Sequence, residues 1–350
     1  MLLLLSFFST ILGLQSMHEA GFQGQGKTIA IIDCGFYKAN DNTLFRQDHI
    51  LGVYDLLKQD SVEREDLFSN PYDTHGANCL SLMLYKSEEF TGTAPEAHYI
   101  IIRTEDLNYE YRGEVDRLER GMLLADSLGA DIITMSLGYA TFDNSDDNFT
   151  YDDLNGLSSV SQTATALARK GRLLFVAAGN SGNNPWHYLN IPADADSILT
   201  VGACSEEGEP ASFSSWGPTA DGRQKPEVAA WGWQTRVLNL ENGTITLGSG
   251  TSYATPEMAG MAACLWQALP DKSAMEIRDL IIRSASHYPD ADYQLGYGVP
   301  DAYKAYLMAQ HGTGWKDLYP RDDARKVIQN GQLYIIRNGV YYTPMGIRKG

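Results

Sequence analysis

Short, nearly continuous apolar runs rich in β-branched residues recur along the chain, at Thr28–Ile32, His98–Ile102, Ile132–Met135, Leu173–Ala177 and Ile198–Val201. A strand that is apolar at every position cannot leave one face in water, so each of these must be covered on both sides. The cover is present in the same sequence. Val115–Ser127 and Val160–Lys170 have helical periodicity and lie between successive runs. Strand and helix in alternation predict an α/β fold with a mainly parallel sheet and helices on both faces. A long, mostly apolar helix is predicted over Thr255–Leu269, stopped by Pro270, and an amphipathic one over Ala274–Ser284. No internal repeat is visible.

A chain of 350 residues can bury a sizeable core without metal or disulfide staples. Its charge narrows the partners. Lys and Arg total 27 against 44 Asp and Glu, a net charge of −17. Nucleic-acid backbones and anionic membranes call for clustered cations, so neither is an expected partner. Cys34, Cys79, Cys204 and Cys264 fit no zinc spacing; two disulfides are compatible with the count but not required, and most of the four read as free, buried thiols acting as small apolar residues.

The ends differ from the middle. Leu2–Leu12 is an apolar stretch of the length of an export-signal core, shorter than the roughly 20 residues of a membrane span. No Lys or Arg precedes it, and the competing reading is an amphipathic helix over residues 9–20 packed on the domain. Near the other end, Asn330-Gly331 and Asn338-Gly339 separate three β-rich runs within residues 325–345. Asn-Gly between such runs is a strong hairpin signal, so a three-stranded meander packed on the main body is expected. The tail resembles short tails of secreted Bacteroidetes proteins. The expected division is an apolar segment at 1–16, a main domain at 17–312, and a linker with a β-meander tail at 313–350.

Four segments carry chemistry. Asp33 closes the first apolar run and is followed by Cys34 and Gly35. Asp73-Thr-His75-Gly76 opens a helical run through Met83. Phe175–Gly182 contains Ala178, Gly179 and Asn180, and Gly248–Pro256 contains Gly250, Thr251 and Ser252 at the start of the long helix. Each alone has an ordinary explanation: a strand end, a structural histidine, a turn, an N-cap. The ordered set Asp33, His75, Asn180 and Ser252, each in glycine-rich surroundings, is hard to explain that way.

These segments resemble the Asp, His, Asn and Ser blocks of the subtilisin-like serine proteases, the subtilases, whose chain order Asp, His, Ser is the known signature. Further blocks at Gly24–Ala30, Ile133–Gly138, Lys225–Ala230 and Tyr297–Ala302 extend the resemblance over about residues 12–308. It implies a three-layer subtilase fold and a serine endopeptidase acting on polypeptides through an acyl-enzyme. It also implies roles: Ser252 as nucleophile, His75 as general base and acid, Asp33 as its orienter, and Asn180 with the Ser252 N–H as oxyanion donors. Ser136, Leu137 and Gly138 would offer an exposed strand edge to an extended substrate. Ala178 and Gly179 would line the first specificity pocket, with Asn190 at its base. Gly250 would allow a tight turn and close backbone approach, and Gly76 would keep the space beside His75 open.

The chain departs from the usual pattern at Cys34, Ala77, Tyr253 and Glu257, none of which removes a catalytic group. The family's usual pro-region has no room ahead of Thr28; either the chain folds unaided or an upstream segment has been lost. Asp143–Asp153 holds five Asp together with Asn144 and Asn148. Such a loop could bind Ca²⁺, but it matches no EF-hand and reads as an acidic solvated loop, so no cofactor or metal is required. The expected protein is a secreted or periplasmic monomer. The alternatives are an inactive subtilase-like binding domain and an esterase on the same triad.

Overall fold

The computed structural model describes residues 12–57, 65–106 and 109–311, and the backbone of three strands within 325–342. In chain order the first unit carries α1 (Leu14–Glu19), β1 (Thr28–Asp33), β2 (Ile50–Asp55), α2 (Glu65–Ser69), α3 (His75–Leu84), β3 (His98–Arg103), α4 (Gly113–Ser127), β4 (Ile132–Met135), α5 (Ser159–Lys170), β5 (Leu173–Ala177), β6 (Leu199–Cys204), β7 (Val228–Trp231), β8 (Thr235–Leu238), β9 (Ile245–Gly248), α6 (Thr251–Ala268) and α7 (Ala274–Ser284). Then come α8 (Ala302–His311) and β10 (Arg325–Gln329), β11 (Gln332–Arg337) and β12 (Val340–Tyr342). Contacts divide the chain into a unit of residues 1–306 and another of 307–350.

Seven strands form a sheet in the order β2-β3-β1-β4-β5-β6-β7, and every pairing in it is parallel. Alternation sends the strand side chains to two layers. Ala30, Ile32, Ile100, Ile102, Ile133 and Met135 pack in one cluster with Leu118 and Met122 of α4 and Ala164 and Leu167 of α5. The intervening Ile29, Ile31, Tyr99, Ile101 and Ile132 are equally buried, on the face where α3 and α6 contact the sheet. This is the α/β, three-layer architecture expected, with a mainly parallel central sheet. The sheet also includes β2 and β7, and a β8–β9 hairpin stands beside it. These three features are not anticipated above, because β2 is half-exposed and β7, β8 and β9 are four residues each.

Local signals set the ends of the helices. Ser158 accepts from the Ser161 N–H at 3.2 Å to start α5, and Gly171, at φ 113°, ends it. Ser273 and Glu276 form a reciprocal capping box, so α7 begins where the sequence predicts. The long apolar helix begins earlier than Thr255, at Thr251, with Pro256 inside it. In the N-terminal region, Leu12, Leu14 and Met17 are fully buried around α1, and this helix runs across residues 16 and 17. Residues 1–11 lie outside the described part, and with them most of the proposed export segment. The tail forms an antiparallel β10-β11-β12 sheet; both Asn-Gly pairs lie outside the described residues.

The chain runs from β1 to β2 and β3 on one side, then crosses to β4 and proceeds to β7 on the other. Its direction of winding therefore reverses between β1 and β4. In open parallel sheets, the crevice at the C-terminal ends of such a pair is where sites are built. Asp33 ends β1 and Ser136 follows β4.

Helix α6 crosses beneath this crevice, buried over nearly its whole length. It carries one acid, Glu257, that is 3% exposed. One carboxyl oxygen accepts from Thr235 Oγ1 at 3.0 Å; the other is buried with no hydrogen-bond partner. Burial pushes this carboxyl up to about 8 from an ordinary 4.5. The folded protein therefore keeps a proton that the unfolded chain releases above 4.5, and stability falls as pH rises from there towards 8. Glu257→Gln should flatten this dependence and raise Tm near pH 8. Parallel Tm curves for the two proteins in thermal unfolding from about pH 5 to 8 would contradict it.

Candidate active site

Asp33 is fully buried at the end of β1. Its Oδ1 lies 2.6 Å from His75 Nδ1 and also accepts from the Cys34 N–H at 2.8 Å. His75 is the first residue of α3, and a third of its side chain is exposed. Burial of the ring opposes its charged form, but the Asp33 carboxylate, its hydrogen bond, and the nearby charge of Asp73 outweigh this. The imidazole is therefore raised above 6.5. With Nδ1 taken by Asp33, Nε2 is the nitrogen left for proton exchange. Gly76 does not hold space open beside this ring. A Cβ there would lie 2.6 Å from the Gly35 carbonyl and 2.8 Å from Phe36, so the glycine lets α3 pack onto the Asp33 loop.

Ser252 is the second residue of α6 and 9% exposed. Four residues later Pro256 has no N–H to donate, so the Ser252 carbonyl is released from the helix ladder. Two groups from other elements take it up: Ser136 Oγ donates at 2.7 Å and the Cys79 thiol at 3.3 Å. The helix start is thereby tied to the end of β4 and to α3, the helix that carries His75. Ser252 Oγ donates to the Ser136 carbonyl at 3.3 Å. No hydrogen bond joins it to His75 among the described residues; such bonds are often loose before substrate binds.

Asn180 is exposed just beyond β5. Its Oδ1 accepts from the Thr251 N–H at 2.8 Å and from Thr251 Oγ1 at 3.1 Å, which fixes the amide and leaves its NH₂ for the cleft. A cleft of about 220 Å³ brings together Ser136, Gly138, Gly179, Asn180, Asn190 and Ser252. Asn190 donates to the Gly138 carbonyl at 3.1 Å, and its own Oδ1 is buried without a partner. Gly179, at φ 110°, is a glycine by necessity: a Cβ would meet Ser215 Oγ at 2.8 Å.

Three expectations change. Ala178 is fully buried and belongs to the sheet core, so Ala177 lines the cleft instead. Strand alternation turns the Ala178 methyl away from it. Gly250, at φ 161° and ψ 151°, is ordinary extended backbone, so the turn does not require glycine. What its missing Cβ preserves is room about 3.7 Å from the Asn180 amide. Ser136–Gly138 lie past the end of β4 and are not a strand. They run between two clefts and line both.

Sequence reasoning passed over Asp73 and Arg103. Arg103 pairs with β1 opposite Asp33, donates to Asp55 Oδ1 at 3.1 Å, and lies 3.6 Å from Asp73 Oδ2. Asp73 Oδ1 is buried without a partner, and a Cβ on Gly35 would collide with this carboxyl. Gly35 beside Asp33, and Asp73 two residues before His75, were the available signals. The four cysteines are free and buried. Among the described residues only Asp33, His75 and Cys79 bring three potential metal donors within 4.8 Å. Burial holds the Cys79 thiol well up, so it stays a protonated donor to Ser252. In the Asp143–Asp153 loop the acids serve the loop: Asp147 accepts from Asn144 at 3.0 Å, and Asp153 from the Thr150 N–H at 2.7 Å.

Residues 24–298 match the subtilase family, Peptidase S8. The chain is 30% identical over 297 residues to serine protease AprX of Bacillus subtilis, covering 77% of this chain and 63% of AprX. It therefore spans less than two thirds of that relative's length. Thermitase of Thermoactinomyces vulgaris is 28% identical, with 81% of this chain and 89% of thermitase covered. Among solved structures, the prenylagaramide maturation protease PagA superposes with a TM-score of 0.65 at 23% identity, covering 84% of this chain and 97% of that one. The PatG macrocyclase in complex with peptide gives 0.66 at 19%, covering 87% and 97%. At these identities the structures speak to the fold alone.

The charge around His75 can be measured directly. Histidine NMR should show its ring titrating above 6.5, and Asp73→Asn should lower that midpoint. An unchanged midpoint in the variant would exclude Asp73 as a source of the shift.

Proposed function

The chain belongs to the subtilase family of serine proteases, and from that premise we propose that it is an endopeptidase in which Asp33, His75 and Ser252 form the catalytic triad and Asn180 the oxyanion site. The observation that carries the reading is the Asp33–His75 contact of 2.6 Å on the crevice that also holds Ser252 and a pre-fixed Asn180 amide. A neutral serine hydroxyl is a poor nucleophile and needs a base. His75 Nε2 takes the Ser252 proton as Oγ attacks the peptide carbonyl. Asp33 holds the ring with Nδ1–H inward and stabilises the imidazolium. Negative charge develops on the carbonyl oxygen. The Ser252 N–H, in the first helical turn where no intrahelical acceptor exists, and the Asn180 NH₂ receive it. His75 then protonates the leaving amine, and water, activated by the same ring, releases the acyl group.

The substrate lies extended along Ser136–Gly138, with the side chain before the scissile bond in the cleft over Asn190. This neutral base does not select for Lys or Arg. Neither rival is favoured: an esterase would not need the backbone of Ser136–Gly138, and an inactive binder would not need the fixed amide. We further propose that the protein acts outside the cytoplasm as a monomer on polypeptides, without nucleic-acid or membrane partners and without a required cofactor. One relative is named a minor extracellular protease, Epr of Bacillus subtilis, and no helix among the described residues is long and apolar enough to cross a membrane. A Bacteroidetes affinity rests on the tail pattern alone.

Purified protein should be labelled by a fluorophosphonate, and Ser252→Ala should abolish labelling. A folded wild type that is not labelled would overturn the assignment. For Asn180→Ala, kcat on a peptide should fall by about 10²–10³, the range carried over from subtilisin itself.

A further inference from the structure

The Ser136–Gly138 segment also walls a second, larger cleft of about 480 Å³, which opens onto His75. Four carboxylates line it: Glu105, Asp106, Glu110 and Asp143. His75 is the only basic group among the described lining residues. The acids come from two loops, one after β3 and one after β4. The loops are joined by the Glu110 N–H on Asp143 Oδ2 at 3.2 Å and the Asp143 N–H on the Glu110 carbonyl at 2.9 Å.

Glu105 is the innermost of the four, at 7% exposure. One oxygen accepts from Tyr139 Oη at 2.6 Å and from Thr104 Oγ1 at 2.8 Å. The other has no hydrogen bond or ion pair among the described residues, although the side chain lines the cleft. Burial, opposed by those two hydroxyls, holds Glu105 up to about 8. Partial desolvation and the like charges of Glu114 and Asp143 hold Glu110 up to about 7. Both carboxyls thus hold their protons more tightly than an ordinary glutamate, and a cation placed between them would favour their charged forms.

We propose that this cleft takes a Lys or Arg side chain of the substrate, at the second or fourth residue on the acyl side of the scissile bond. The position follows from alternation. If the first acyl-side residue enters the cleft over Asn190, residues two apart share its face, and the second and fourth point the other way. The chemistry follows from spacing. These carboxylates do not bring three donors within the 4.8 Å reached by Asp33, His75 and Cys79, so they do not close around a metal ion. A long cationic side chain with several N–H groups bridges separated acceptors and makes charge-assisted hydrogen bonds to each. Selection for positive charge therefore sits beside the neutral first pocket rather than in it.

The inference rests on the protease reading, and two measurements keep the two apart. First, kcat/KM is measured on peptides carrying Lys, Arg, Ala or Glu at each of the second to fourth acyl-side positions. Lys or Arg at the second or fourth should exceed Ala by about tenfold or more, and Glu should be poorest. In Glu110→Gln/Asp143→Asn the Lys-to-Ala ratio should fall by about tenfold. Both positions are exposed, and a ratio taken within one protein cancels any general loss of activity. Second, Kd values of fluorescent Lys and Ala peptides on Ser252→Ala read the cleft without catalysis. Equal values for Lys and Ala in both measurements, or a ratio unmoved by the double variant, would overturn the inference. So would calcium ions raising Tm and erasing the ratio in the parent protein. Failure of fluorophosphonate labelling with the binding preference intact would remove the protease reading and leave only a cleft that binds a cationic side chain.

Discussion

A carboxylate with no solvent exposure, Asp33, sits where the winding of the sheet reverses, and much of the site is arranged around it. Its Oδ1 receives the His75 ring and the Cys34 N–H, while its strand neighbour is Arg103. Buried carboxylates must be hydrogen-bonded or charge-compensated. Here compensation comes from a histidine that stays partly open to the cleft. The same demand draws α3 close to the β1 loop, and Gly35 and Gly76 are the residues that permit this approach. The position of His75 is therefore a consequence of the sheet's topology and of two missing side chains.

The start of α6 has a comparable cause. Pro256 interrupts the helix ladder one turn after Ser252. The freed carbonyl is satisfied by Ser136 and Cys79, from the two elements that also border the clefts. A feature that would weaken an ordinary helix here fixes the proposed nucleophile against β4 and α3. Asn180 is held in turn by the Thr251 N–H, so the first turn of one helix positions both proposed oxyanion donors. Cys79 thus has a hydrogen-bonding duty at the site, beyond filling space.

The two clefts on either side of Ser136–Gly138 differ in charge. The smaller one ends on a neutral amide; the larger one is lined by acids from two loops. This difference arises from loops after β3 and β4, while the sheet that supports them carries none of it. That division suits a scaffold whose core stays constant while its loops vary.

Strand and helix order, the covered sheet and the four chemical segments were legible in the residues. Continuous apolar runs, helical periodicity and capping boxes are local signals, and the family pattern is a linear one. Tertiary structure decided the rest, because those facts depend on what approaches a residue from distant sequence. Ala178 alternates into the core and Ala177 takes its place in the cleft. Gly250 proves conformationally ordinary, while Gly76 and Gly35 mark close packing. Asp73 acts on a ring two residues away in sequence, yet its effect depends on burial and on Arg103 from β3. Asp143 lies 33 and 38 residues from Glu110 and Glu105, and only the pairing of their two loops gathers the three around one cleft.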